Sequence, residues 1–215
     1  MDNILNLKNI EKRFGHKSIL DQFNLEIKKG ESIAIIGKSG SGKSSLLNII
    51  SLIEPIDDGE IIFDNKDISS IKDSKKIDFL RENIGFLFQN YALIENETVI
   101  KNVEIGLKYR KDLTNKEAKK NEVKRLLDLV GLAGFEDRLI YTLSGGEQQR
   151  IALARLIGKP SKIILADEPT GNLDNTNSET IMEILLKEKY KGKAIIVVTH
   201  NENHLELFDR VIKLN

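Results

Sequence analysis

The 215-residue sequence predicts an α/β protein built on a parallel sheet, with a run of helices set into the middle of the chain. Three observations carry this reading. Several short segments are almost wholly apolar, as strands buried on both faces must be. They alternate with helical repeats, and strand–helix–strand units spaced in this way give parallel sheets. From about residue 98 to 130 the apolar period lengthens from that of a strand to that of a helix.

Taken in order, Leu5–Glu11 reads as a strand through Leu5, Leu7 and Ile10, and Ile19–Ile27 as a second with Phe23, Leu25 and Ile27 alternating. Lys28-Lys29-Gly30-Glu31 is a turn, and Ser32–Ile36 a short apolar strand. A glycine-rich loop follows, then a helix carrying Leu46, Leu47, Ile49, Ile50 and Ile53. Asp57-Asp58-Gly59 turns the chain into a strand at Glu60–Phe63, and Ile84–Phe88 is another. In the helical middle, Thr114 and Glu117 stand as a capping box, and Gly131 closes the stripe of Val123, Leu126, Leu127 and Val130. Lys162–Ala166, Ala194–Thr199 and Arg210–Leu214 are strands, with a helix over Ser178–Lys187.

Composition narrows the function. With no cysteine there is no disulfide framework and no thiolate metal site, which fits a reducing compartment. Lys+Arg and Asp+Glu both number 33, so the basic excess expected of a nucleic-acid binder is missing. Apolar runs such as Ala194–Val198 are too short to span a bilayer, and Met-Asp-Asn opens no secretory signal. A soluble cytosolic protein is expected.

Gly37-Lys38-Ser39-Gly40-Ser41-Gly42-Lys43-Ser44 matches the phosphate-binding loop G-x-x-x-x-G-K-[ST], placed between a strand and a helix as that loop requires. Its glycines let backbone N–H groups turn inward around a polyphosphate, and the next helix points its positive end at the same anion. Lys43 would reach the β- and γ-phosphates, and the Ser44 hydroxyl would ligate Mg²⁺. Lys162–Ala166 runs into Asp167 and Glu168. A buried strand ending in Asp supplies the carboxylate that such a metal needs, directly or through water. Glu168, one residue on, points elsewhere and could orient the attacking water. Ser144-Gly145-Gly146-Glu147 opens a further helix through Ile151, Leu153, Ala154, Leu156 and Ile157. That start reads both as a second anion site and as an ordinary N-cap completed by Glu147.

Together these residues resemble the nucleotide-binding subunit of an ABC transporter, over essentially the whole chain. Leu143–Glu147 is similar to that family's signature motif. The resemblance places Gln89 as a glutamine contacting Mg²⁺ and water, Leu173-Asp174 as the loop crossing to a partner subunit, His200 as the histidine contacting the γ-phosphate and Phe14 as the ring on which adenine stacks. Ser45 joins the phosphate loop. Glu147-Gln148-Gln149-Arg150 and Glu168–Asp174 resemble the lipoprotein-releasing, macrolide-exporting and bacteriocin- or peptide-exporting ATPases. Lys38, Ser45 and Phe14 depart from the commoner residues without removing a group of named role.

The resemblance implies a P-loop NTPase core with an antiparallel β-subdomain near the N-terminus and a helical subdomain inserted at about residues 90–160, the whole of 1–215 forming one ATP-binding domain. It implies Mg²⁺-dependent ATP hydrolysis by two subunits closing head to tail, each ATP held between one phosphate loop and the other signature. A separate membrane permease would turn that closure into export, and the ATPase would sit on the inner face of the cell membrane. An ATP-sensing regulatory subunit without turnover is the alternative; a coiled-coil chromosome or repair ATPase needs more than the roughly 50 residues between Gln89 and Ser144. Tyr91 and Leu93 are expected to meet the permease, or else to pack within the helical insert. The basic run from Lys108 to Arg125 reads as a solvated helix face, with lipid headgroups or an acidic partner loop as the alternative contact.

Overall fold

A computed structural model describes residues 2–171 and 175–214. Two long strands, β1 (Asn3–Phe14) and β2 (Lys17–Lys28), form an antiparallel hairpin. β3 (Ser32–Gly37) leads into α1 (Lys43–Ile50), and β4 (Asp58–Phe63) and β5 (Lys66–Asp67) return to the hairpin. The antiparallel sheet has the order β2-β1-β4-β5. Helix α2 (Asp73–Asn83) precedes β6 (Ile84–Leu87). Three helices follow, α3 (Val99–Leu107), α4 (Lys116–Leu129) and α5 (Gly145–Gly158). β7 (Ile163–Asp167), α6 (Asn175–Lys187), β8 (Ala194–Val198) and β9 (Arg210–Leu214) complete a parallel sheet of order β6-β7-β8-β3-β9.

The apolar strands are apolar because both sheet faces are covered. Ile164 and Ala166 of β7, and Ile195 and Val197 of β8, join a core shared with α3, α4 and α5. The alternate residues Ile163, Leu165, Ile196 and Val198 join a second core with α1 and the antiparallel sheet. Each such side chain contributes about 1.5–3 kcal/mol on burial. In β1 the buried set shifts phase between Leu7 and Ile10, where the register slips and Asn9 takes φ 50°. That is a β-bulge, an extra residue that re-aims the strand.

Three expectations are corrected and two open alternatives are resolved. The helical middle is two helices, broken between Leu107 and Lys116. The cap of α4 is Asn115, whose side chain accepts the Ala118 N–H at 2.8 Å, one residue past the expected Thr114. Ile53 lies beyond α1 and is 55% exposed. Tyr91 and Leu93 pack partly against the helical core. The basic run is divided: Arg110 pairs with Asp112 and Glu122, and Arg125 with Glu122, while Lys116, Lys120 and Lys124 face solvent.

Helices α3 and α5 approach until backbone meets backbone. A Cβ added at Gly106 would lie 2.1 Å from the Arg155 carbonyl oxygen. Since helix backbones cannot compress, Gly106→Ala should lower stability by about 1–3 kcal/mol, or roughly 2–12 °C in a thermal melt of a domain this size. An unchanged melting temperature would show that α3 can slide without cost.

Candidate functional site

A cleft of about 510 Å³ opens at the C-terminal ends of β3, β7 and β8. Parallel α/β sheets place ligands there. Gly37, Ser39, Gly40, Gly42, Lys43, Ser44, Ser45, Gln89, Asp167, Glu168 and His200 line it, so four segments far apart in sequence meet in one place. Lys17 and Ile19 of β2 line it too; no sequence signal singled them out.

The loop is shaped by its own bonds. Gly42 caps α1 with φ 92° and no side-chain cap, so the first-turn N–H groups of α1 receive no side-chain acceptor at that end. A Cβ at Gly42 would meet Ile19 at 2.6 Å. The Lys43 ammonium donates to the Gly37 and Lys38 carbonyls at 2.8 and 3.0 Å, folding back over the loop. The Ser41 hydroxyl oxygen is buried without a hydrogen-bond partner among the described residues. A cradle with open N–H groups, a poised ammonium and an orphaned hydroxyl is complementary to phosphate. The Lys38 side chain does not line the cleft; its role in the loop is its carbonyl.

β7 ends in the two carboxylates. Burial raises the Asp167 pKa and the nearby Glu168 charge adds to this, while a hydrogen bond from Ser44 and the Lys43 charge oppose it. Glu168 leaves the strand with φ 47°, in the left-handed region, while its N–H still bonds the Val198 carbonyl at 2.9 Å. This backbone turn overrides the strand alternation and brings both carboxylates to the cleft. Thr199 Oγ1 donates to Glu168 Oε2 at 3.2 Å, and His200 Nδ1 lies 2.7 Å from Oε1. Thr199 is a buried residue that sequence reasoning missed.

The donor set fits a small hard cation. One hydroxyl, Ser44, and one half-buried carboxylate, Asp167, share a hydrogen bond beside Gln89. No three acidic or histidine ligands cluster among the described residues. That is the arrangement suited to Mg²⁺, which is held by one or two protein oxygens together with substrate phosphates and water.

Other expected residues stand apart from the cleft. Phe14 is 52% exposed at the tip of the hairpin, with the Lys12 ammonium 5.4 Å from its ring centre. Ser144, Gly145, Gly146 and Glu147 do not line the cleft. Glu147 accepts from the Ser144 N–H and hydroxyl at 2.7 and 2.8 Å, and the Ser144 hydroxyl accepts the Glu147 N–H at 3.3 Å. Asp174 lies outside the described residues.

The side chains after Glu147 tie α5 to its surroundings. Gln148 donates to the Leu143 carbonyl at 3.0 Å, and Gln149, buried, to the Pro169 carbonyl at 2.7 Å. Arg150 donates to Asn177. Further along, Arg155 donates to the Ala92 and Tyr91 carbonyls at 2.6 and 2.7 Å.

Residues 20–171 match the family model described as ABC transporter. The chain is 36% identical over 98% of its length to the macrolide export ATP-binding/permease protein MacB of Pasteurella multocida, but spans only 33% of that protein. It is 38% identical over 99% of its length to the spermidine/putrescine import ATP-binding protein PotA of Clostridioides difficile, spanning 59% of it. An ABC transporter ATP-binding protein of Methanocaldococcus jannaschii, MJ0796, is 40% identical and is spanned over 93% of its length. A solved structure of that cassette, a dimer in a post-hydrolysis state bound to ADP and Pi, superposes with a TM-score of 0.87 at 38% identity, covering 98% of this chain and 94% of that one.

The capping box yields a pH prediction. The Ser144 N–H, and then its hydroxyl, hold the Glu147 carboxyl below the usual range. A depressed folded pKa gives stability that is present above the ordinary glutamate value and lost as pH falls through the depressed one. Glu147→Ala should therefore cost about 1 kcal/mol near neutrality, the worth of such a cap, and less in acid. Melts of both proteins across pH check this; a gap that widens as pH falls contradicts it.

Proposed function

The chain belongs to the ABC transporter family and is a cassette of the ABC ATPase type, and on that basis we propose that residues 1–215 form one ATP-binding domain that powers a membrane permease by Mg²⁺-dependent hydrolysis of ATP. One observation carries the reading: phosphate loop, strand-end carboxylates and His200 line a single cleft in which both oxygens of Glu168 are held.

The Lys43 ammonium turns from the Gly37 and Lys38 carbonyls to the β- and γ-phosphate oxygens, joined by the loop N–H groups. Phe14 lends its exposed face to adenine. Ser44 and Asp167, with Gln89, would hold Mg²⁺, which would supply neutralisation of the charge developing on the phosphates. Glu168 accepts a proton from a water whose oxygen bonds to the γ-phosphorus as the bond to the β–γ bridging oxygen breaks. Thr199 and His200 keep the Glu168 carboxylate aimed, and His200, 70% exposed, remains free to reach the γ-phosphate from the cleft rim.

The second helix start, at Ser144, does not line this cleft and serves the nucleotide of a second copy, together with Asp174. The dimeric ADP- and Pi-bound relative supports that assembly. The likeness to MacB and the Glu147–Arg150 run support export of a peptide, bacteriocin, lipoprotein or drug as its role. The domain then works at the inner face of the membrane. Among the described residues no helix is long and apolar enough to cross a bilayer, so the force leaves through a protein contact. A groove of about 390 Å³ lined by Ile53, Phe86, Phe88, Ile105 and Tyr109 offers it. Ile53 and Ile105 are 55% and 44% exposed, where apolar side chains gain nothing from water.

Lys43→Ala should weaken ATP binding by about 2–5 kcal/mol, the usual cost of truncating one partner of a desolvated charge pair. Glu168→Gln should bind ATP as tightly as the unaltered chain, stop hydrolysis and accumulate as an ATP-bound dimer. Nucleotide titration, phosphate release and light scattering decide; Glu168→Gln turning over at the normal rate would remove Glu168 as the base.

For the groove, Ile53→Ser with Ile105→Ser should keep ATP binding and basal hydrolysis but lose co-purification with the co-expressed permease. Retained co-purification would place the contact elsewhere.

A further inference from the structure

Two residues after Gln89 the backbone does something that its side chains do not favour. Tyr91 and Ala92 are consecutive non-glycine residues at φ 63° and 49°. Single residues visit the left-handed region at a cost, and pairs are sustained only when their surroundings fix them. Their own turn bonds are short-range: the Tyr91 N–H reaches the Phe88 carbonyl at 3.1 Å, and the Ala92 N–H the Asn90 carbonyl at 2.6 Å. Farther on, the fully buried Asn102 holds both the N–H and the carbonyl of Ile94, at 2.8 and 3.1 Å.

The two left-handed residues themselves are held by one side chain. Arg155 donates Nη1 to the Ala92 carbonyl at 2.6 Å and Nη2 to the Tyr91 carbonyl at 2.7 Å. A rigid planar fork matches two adjacent carbonyls as a lysine cannot. Arg155 has no carboxylate partner among the ion pairs of the described residues, and burial lowers its pKa. A half-buried guanidinium spent on neutral carbonyls alone is an uncommon use of a charge. Its helix is α5, which begins about three turns earlier at the Ser144 cap. The Tyr91 hydroxyl closes the link, lying 3.3 Å from where a Cβ of Gly145 would stand.

We propose that Arg155 is a positioning residue for ATP hydrolysis, holding the Tyr91 and Ala92 carbonyls so that Gln89 keeps its place in the cleft and its loop moves with α5. This rests on the hydrolytic reading above. Arg155 and Ala92 also line the apolar groove, so whatever seats there touches the clamp itself. The clamp thus joins three surfaces: the groove, the nucleotide cleft through Gln89 and the second helix start through α5.

The test compares Arg155→Met, Arg155→Lys, Ala92→Gly and the double variant Arg155→Met with Ala92→Gly, in the full chain with ATP and Mg²⁺. Arg155→Met should lower kcat about tenfold, roughly 1.4 kcal/mol of barrier, with the ATP dissociation constant within about twofold. Hydrogen exchange should quicken at residues 88–94 and stay unchanged at the start of α5. Glycine takes the left-handed region without penalty, so adding Ala92→Gly should restore most of the lost kcat, whereas a residue that merely packs would not be rescued from across the bond. Arg155→Met with normal kcat and normal exchange overturns the proposal, as does a double variant no better than Arg155→Met alone. Should Arg155→Met fail to fold, Arg155→Lys decides: it keeps the charge and stem but not the fork, and an unaltered kcat with unaltered loop exchange sinks the idea. A parent chain that binds ATP without turnover would refute the hydrolytic reading, and loop exchange would then decide the clamp by itself.

Discussion

A sheet covered on both faces can present polar atoms only where its strands end. β7 and β8 are fully apolar until their last residues, and the chemistry collects at Asp167, Glu168, Thr199 and His200 because the core leaves it nowhere else. The same burial sets the electrostatics. Asp167 is pushed up by loss of water and by the adjoining carboxylate, and only Ser44 and Lys43 pull the other way. A carboxylate in that condition favours a cation beside it, since restoring charge balance returns what desolvation removed. The proposed metal site thus owes as much to the fold's two cores as to any ligand geometry.

Helix α5 is the part through which these strand ends communicate with the rest. Its N-terminus is closed by the Ser144–Glu147 box, Gln149 holds the carbonyl just after Glu168, and Arg155 holds the loop just after Gln89. The run Glu147–Arg150, which the sequence marks only as a family resemblance, has a physical reading: Glu147 and Gln148 tie α5 to the segment just before it, Gln149 to Pro169 and Arg150 to Asn177. Gln149 is buried with its amide oxygen unpaired among the described residues, so the bond from its nitrogen is held in place by shape rather than by full satisfaction. Gly106 lets α3 close on the same helix at backbone distance, so α5 cannot shift without moving the helices around it.

Much of this was legible in the sequence, for identifiable reasons. The phosphate loop and the strand ending in Asp167 are local patterns with local causes, and the structure places them as read. What could not be read depends on backbone turns and on tertiary contact. Glu168 reaches the cleft only because its φ is positive, against the alternation that sends it elsewhere. Thr199, Lys17 and Ile19 enter through strand order, which no single segment encodes. Helix α2 buries no residue and so shows no apolar stripe to find. Arg155 sits among apolar helix positions as any solvent-facing arginine would.

Two glycine-rich helix starts proposed to hold phosphate in one chain raise the question of whether both would serve one nucleotide. The geometry answers against it. α1 opens into the cleft, whereas the Ser144 start contributes no residue to it, and the Glu147 carboxylate there is committed to its own cap. A phosphate drawn to that start would come from outside the chain's own site. In the proposed sandwich, the nucleotide drawn to Ser144 therefore pulls on α5 of one copy while bound to the cleft of the other. Through Gln149 and Arg155 that pull reaches the backbone beside Glu168 and beside Gln89 in the first copy. Each site would then register the other's occupancy through bonds already in place, with no new contact required inside either chain.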